Sequence, residues 1–347
     1  MIRKLKIQIA VILLFSGLVF YAHSQETVHF GLNTTARNFS EEIKYALELG
    51  VGVVRLPLGW EMVQPRAEEF DWDITDRIVE LAEVNQVEVL FIVRSISLWG
   101  TKELPQVREG MGYHSATMPV DLKQWERFVQ ALAARYQGRG VHYEIENEVS
   151  APAFWQGTME EYCELLKASY TAIKWADPQA IVLVAAMPCG ISRNFTGPED
   201  EVFRKYHDDW LQAILFTKAF DVVSVHNYYF PSKIKANGFT FRSYLEHVHD
   251  LMKQAGVGDR PIWVTETGFI SEPANASDRL DQGSLEQQAN WLAEAYEQAF
   301  DFGVERVFWL LLRDRDEKYF SSTGLEDMQG KPRPAWDRLQ QITKVKE

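Results

Sequence analysis

Tyr143-Glu144-Ile145-Glu146-Asn147-Glu148 and Pro261-Ile262-Trp263-Val264-Thr265-Glu266-Thr267-Gly268 are two apolar, strand-like runs, and each stops at a carboxylate. A carboxylate at the exit of a buried strand must be paired, hydrogen-bonded or neutralised, so its charge has a use. Glu148 and Glu266 lie far apart in the chain, yet each closes a run of the same kind.

Working outward from these two runs, the chain alternates short β-branched or aromatic segments with longer amphipathic ones. The candidate strands are Val28–Asn33, Gly52–Leu58, Val87–Ser95, Gly140–Glu148, Ala180–Met187, Phe220–Tyr229, Arg260–Thr267 and Val304–Arg313. Helical periodicity marks Ser40–Leu49, Ile74–Asn85, Leu122–Tyr136, Met159–Trp175, Glu201–Thr217, Phe241–Gln254, Leu285–Phe302 and Ala335–Thr343. Apolar residues there recur at spacings of three and four, as in Leu292, Ala295, Tyr296 and Ala299. Strands separated by helices of this length pair in parallel, and eight such units predict a single-domain α/β fold, a (β/α)8 TIM barrel. An open doubly wound sheet would want a Gly-rich phosphate turn after an early strand, and the sequence has none. Two connections look enlarged, Trp99–Val120 after the third strand and Ile270–Gly283 after the seventh. Both are expected at the C-terminal mouth of the barrel, where sites of this architecture assemble.

The start of the chain differs in kind. Residues 1–24 combine a basic opening, an apolar stretch from Ile9 to Phe20 and the small residues Ala22 and Ser24. That stretch is shorter than the roughly 17–25 residues of a spanning helix, and the pattern reads as a secretory signal peptide cut after Ser24. The mature domain is then 25–347 and the product secreted or periplasmic, with no membrane span after cleavage; the alternative is an uncleaved N-terminal anchor. A net charge of −13 argues against a nucleic-acid partner. An aromatic content of 13%, with 11 Trp, suits an uncharged sugar ligand, although any single Trp is first a core residue. Two cysteines, Cys163 and Cys189, make no disulfide scaffold, and Asn-x-Ser/Thr sequons start at Asn33, Asn38, Asn194 and Asn275.

In a barrel of this kind the residues at strand exits share one mouth. Here they are Arg55, Arg94, Asn147, Glu148, His226, Tyr228, Glu266 and Trp309. A pair of carboxylates is what glycoside cleavage requires, one to protonate the leaving oxygen and one to attack the sugar.

This set, in this strand order, resembles the retaining glycoside hydrolases of clan A, the 4/7 superfamily. The resemblance rests on Asn147-Glu148 ending the fourth strand, Glu266 ending the seventh, Arg55 on the second, His226-x-Tyr228 on the sixth and Trp309 on the eighth. Pro65–Asp76, Glu286-Gln287-Gln288-Ala289 and Gly324-Leu325 through Pro334-Ala335-Trp336 are nearest to families 39, 42 and 5-like members.

The resemblance implies Glu148 as acid/base and Glu266 as nucleophile, with substrate contacts at Arg55, Asn147, His226, Tyr228 and Trp309. It implies no metal and no cofactor, and a poly- or oligosaccharide as the partner. Arg55 is expected to hold Glu266 ionised, Tyr228 to donate to it, Asn147 to bond the sugar 2-OH and Trp309 to lie beneath a sugar ring. Glu144 is expected to support the site from behind. The chain departs from the pattern at Arg94-Ser95, where His or Asn is common, at Glu146, where Gly or Trp is usual, and at Val149 in place of Pro. Arg94 suggests an acidic or substituted sugar.

Other chemistries fit less well. His247-x-His249 has the spacing of a metal-ligand pair but falls in a predicted helix, and no Gly-x-Ser-x-Gly elbow or Cys/His zinc framework occurs. The alternatives within the fold are a catalytically silent carbohydrate-binding barrel and a transglycosidase.

Overall fold

The computed structural model describes residues 29–108, 112–187, 198–229, 240–269, 282–315 and 323–345. The leader at 1–24, Cys189, the sequons at Asn194 and Asn275, and most of the seventh-strand loop lie outside these residues.

Eight parallel strands form the barrel: β1 Phe30–Asn33, β2 Val53–Gly59, β3 Glu88–Arg94, β4 Val141–Ile145, β5 Val182–Leu183, β6 Val223–Tyr229, β7 Ile262–Phe269 and β8 Arg306–Trp309. Between and after them run α1 Phe39–Glu48, α2 Asp73–Val84, α3 Leu122–Arg135, α4 Met159–Ala176, α5 Pro198–Thr217, α6 Phe241–Gln254, α7 Gln282–Phe302 and α8 Pro334–Val345. The sheet order is β5-β4-β3-β2-β1-β8-β7-β6. Parallel bridges Leu183↔Val222 and Met187↔Val225 bring β5 against β6, so the described barrel is nearly closed. A short helix, Trp60–Val63, and a two-strand ladder, Val107–Arg108 with Gly112–Tyr113, decorate the mouth.

Strand alternation sorts side chains to the two faces of the sheet. Phe30, Val54, Leu56, Phe91, Val93, Tyr143, Ile145 and Val264 pack outward into the layer shared with the helices. Val53, Leu90, Leu183, Val222, Trp263 and Phe308 face inward as a separate plug. Gly31 makes room for it, since a Cβ there would stand 2.2 Å from the Phe308 ring. Below the plug Glu88 meets Arg306 and, at 3.2 Å, His142, while the Arg306 guanidinium lies 4.2 Å from the Trp263 ring centre. Above it the inward positions turn polar: Arg55, Glu144, Ser224 and Thr265.

The helices cap as their sequences dictate. Asp121 accepts from Lys123 N at the start of α3, and Thr158 with Glu161 forms a capping box at the start of α4.

One irregularity decides where Glu266 points. Against β6, Val264 pairs with Val225 and Glu266 with His226; against β8, Val264 pairs with Val307 and Thr267 with Trp309. β7 thus carries one residue more than either neighbour, a bulge at Thr265. Without it, parity would send Glu266 outward with Val264. With it, Thr265 and Glu266 both reach the interior.

Candidate active site

Arg55, one turn of the pleat above Val53 on β2, is fully buried and organises the mouth. Its Nε donates to Glu144 Oε2 at 2.7 Å, and its Nη1 to Asn33 Oδ1 and Glu266 Oε1, both at 2.7 Å. Its Nη2 donates to Asn147 Oδ1 at 2.9 Å. One guanidinium therefore ties β1, β2, β4 and β7 together. Glu144, fully buried, accepts further from Ser224 Oγ at 2.9 Å and Thr265 Oγ1 at 3.3 Å. The surrounding anions raise the Arg55 pKa although burial opposes them.

Glu266 accepts from Arg55 on one oxygen and from the Tyr228 hydroxyl on the other. Burial acts to raise its pKa, but His226, Arg55 and Tyr228 outweigh it and hold the carboxyl below its ordinary value. Tyr228 moves the other way: burial, then the Glu266 and Glu148 charges, push its phenol well above the usual range, so it stays a donor.

Glu148 follows β4 on a backbone with φ +42°, and Glu146 has φ +67°. Left-handed non-glycine residues are uncommon and cluster at functional sites. His226 Nδ1 lies 2.8 Å from Glu148 Oε1 and 3.5 Å from Glu266 Oε2. Burial disfavours the imidazolium, yet the two carboxylates raise the His226 pKa above its ordinary value. One ligand-type atom from each of Glu148, His226 and Glu266 falls within 4.8 Å of the other two. Such a donor set is of a kind that divalent cations accept, but Arg55 already supplies Glu266 with positive charge.

The structure thus brings Arg55, Asn147, Glu148, His226, Tyr228 and Glu266 together. Trp309 is a correction. Phe308 belongs to the interior plug, so its neighbour Trp309 faces outward. There it is fully buried, 6.1 Å from the Trp291 ring of α7, with Nε1 donating to Thr323 O at 3.1 Å. It offers no face to a sugar. The inward position after Phe308 is Leu310, 9% exposed, whose carbonyl leaves no room for a side chain at Gly268.

Arg94 is also corrected: its guanidinium is engaged by Glu146, at 3.2 Å, and by Phe154 O, at 2.7 Å, so it has no charge free for an acidic sugar. The His247 and His249 pair sits in α6 as expected, bonded to Asp208 and to Gly258 O.

A family model, Cellulase (glycosyl hydrolase family 5), matches residues 21–311. The chain belongs to this family. No curated protein matches it. Among solved structures, it is similar to a family 39 glycoside hydrolase from Bacteroides cellulosilyticus WH2, at 15% identity and TM-score 0.63, covering 93% of this chain and 65% of that one. The GH39 enzyme from Xanthomonas axonopodis pv. citri is 15% identical with TM-score 0.70, over 93% of this chain and 67% of that one. Xylanase 10B from Thermotoga petrophila RKU-1 is 15% identical with TM-score 0.62, over 93% and 96%. This family 5 member therefore spans about two thirds of the length of the family 39 structures, and at these identities the likeness is one of fold.

Two residues of this buried cluster carry no signal of their own in the sequence reading. Asn33 reads there as a sequon, yet it is buried, accepts from Arg55 and donates from Nδ2 to Thr265 O at 3.0 Å, so its amide is committed inside the barrel. Ser224 is the other; its even spacing from His226 and Tyr228 on β6 was the available signal.

Proposed function

We propose that the chain is a retaining β-glycoside hydrolase acting on poly- or oligosaccharides, with Glu266 as nucleophile and Glu148 as acid/base. The observation that carries this reading is the approach of a Glu148 oxygen to within 4.8 Å of a Glu266 oxygen. Retention calls for carboxyls about 5–5.5 Å apart, whereas inversion needs roughly 6.5–9.5 Å to admit a water.

In the first step the ionised Glu266 attacks the anomeric carbon as the glycosidic C–O bond breaks, and Glu148 gives its proton to the departing oxygen. In the second, Glu148 takes a proton from water, whose oxygen displaces Glu266 from the same carbon. Arg55 and Tyr228 keep Glu266 ionised and aimed. Asn147 has Oδ1 engaged by Arg55, so Nδ2 is the end that donates to a sugar hydroxyl. Solved structures of similar fold are described as xylanases, a β-xylosidase and an exo-β-1,4-mannosidase, which supports a β-linked neutral sugar as substrate class. Residues 1–24 act in this reading as a secretory leader.

Incubation with activated 2-deoxy-2-fluoro β-glycosides tests the reading, followed by mass spectrometry of the intact protein and of its peptides. A glycosyl adduct on Glu266, with NMR showing the β-anomer released first from substrate, is the expected result. A first-formed α-anomer would rule out retention. Glu266→Gln is expected to lose turnover by about 10³-fold or more.

A further inference from the structure

The mouth holds a second buried ion pair that the mechanism above does not use. Glu146 has no exposed surface and Arg94 is 5% exposed. Glu146 Oε2 lies 3.2 Å from Arg94 Nε, and its Oε1 accepts from Ser95 N at 2.5 Å and lies 2.8 Å from Ser95 Oγ. Burial pushes the Glu146 carboxyl up despite these partners. A pair under that desolvation load is weak evidence for added stability, so its value lies in what it holds in place.

What it holds is the backbone on both sides of Glu148. Left-handed φ values at Glu146 and Glu148 cost on the order of 1 kcal/mol each and persist only where the surroundings over-determine them. Before Glu148, Glu146 N donates to Val93 O at 3.1 Å, and its carboxylate is fixed by the end of β3. After Glu148, Ala151 N donates to Glu148 O at 2.8 Å. Arg94 Nη2 then reaches Phe154 O at 2.7 Å, an oxygen that also accepts from Ala116 N at 2.7 Å. The Arg94 guanidinium lies 5.6 Å from the centre of the Phe154 ring. Arg94 therefore grips the chain two residues before Glu148 and six residues after it. Among the described residues, no hydrogen bond or ion pair joins Arg94 or Glu146 to Arg55 or Glu266.

We propose that Glu146, with Arg94 as its counter-ion, is a positioning residue for Glu148: the pair locks the left-handed turn that aims this carboxyl at the leaving oxygen. The inference rests on Glu148 being the acid/base. Loosening the clamp then weakens protonation of the leaving group and spares attack by Glu266.

The test is kcat/KM for Glu146→Gln and Arg94→Met on paired 2,4-dinitrophenyl and phenyl β-glycosides. The sugar is whichever of glucose, cellobiose, xylose or mannose the unaltered enzyme cleaves fastest. Dinitrophenolate leaves without help, whereas phenolate needs the proton. Loss on the phenyl glycoside of about 10- to 100-fold is expected, part of the roughly 10²–10⁴ that a general acid supplies, with under about threefold loss on the dinitrophenyl glycoside. Equal loss on both probes, or no loss on either, overturns the proposal. Glu148→Ala in the same pair separates the two readings. A steep leaving-group dependence for Glu148→Ala beside none for Glu146→Gln sinks only the positioning role, and none for Glu148→Ala sinks the acid/base assignment with it. Should Glu146→Gln fail to fold, Ser95→Ala removes one hydroxyl contact and is read by the same ratio.

Discussion

Arg55 and Glu144 form an ion pair with Nε 2.7 Å from Oε2 and essentially no exposed surface on either side chain. Glu144 stands four residues before Glu148, so the charge that balances Arg55 from below is built into the strand that leads to the proposed acid/base. Removing one partner of a buried pair strands the other, at a cost of roughly 3–5 kcal/mol. Glu144→Ala is therefore expected to lower the urea midpoint sharply, by that amount in unfolding free energy. A change below about 1 kcal/mol would show that Glu266 alone suffices to neutralise Arg55.

Tyr228→Phe deletes the hydroxyl that donates to Glu266. Glu266 sits below its ordinary pKa because His226, Arg55 and Tyr228 together outweigh burial, so taking one of them away moves it up. The acid limb of the kcat/KM profile should shift to higher pH, with a fall of about 10- to 100-fold at the optimum, as expected for a hydrogen bond to a charged group. A pH–rate series of the two enzymes checks both, and an unmoved acid limb would contradict the assigned role.

At the far end of the barrel Glu88 provides a test of stability apart from chemistry. Burial works to raise its pKa, but the His142 hydrogen bond and Arg306 bring it down to about 2. A carboxyl depressed in the folded state contributes stability that is present above its unfolded value and is lost as pH falls through the folded one. Glu88→Gln is expected to cost on the order of 3 kcal/mol at pH 7, with the gap to the unaltered protein closing between about pH 4.5 and pH 2. Denaturant titrations across that range check it, and turnover at pH 7 of the folded variant should stay within about twofold.

Trp309 faces α7 and not the substrate. Trp309→Ala should then cost about 3–5 kcal/mol as a core truncation, and Trp309→Phe, which keeps most of the packing, should leave KM nearly unchanged. A large rise in KM for Trp309→Phe without loss of stability would restore the sugar-stacking role.

The barrel was legible because each strand is a short apolar run bounded by an amphipathic helix, and both periods survive in the sequence. Glu148, Glu266 and Arg55 were legible because charge at the end of an apolar run has few uses. The errors came where one residue of parity matters. Trp309 ends a strand whose inward set is fixed by Phe308, and only the packing of Phe308 against Val53, Leu90 and Trp263 reveals which face is which. The occupation of Arg94 by Glu146 was invisible for a similar reason. Both residues depart from the clan pattern, but that each answers the other depends on β3 and β4 pairing in register, Val93 with Ile145.

The extra residue in β7 gives catalysis an unusual point of fragility. Loss of the Thr265 codon would preserve every acid, amide and aromatic group of the proposed machinery in the gene, yet swing the Glu266 carboxylate into the helical shell. Descendants of this chain carrying such a deletion would be inert while still bearing the complete set of signature residues, so an inventory of conserved positions would misjudge them and strand length would not.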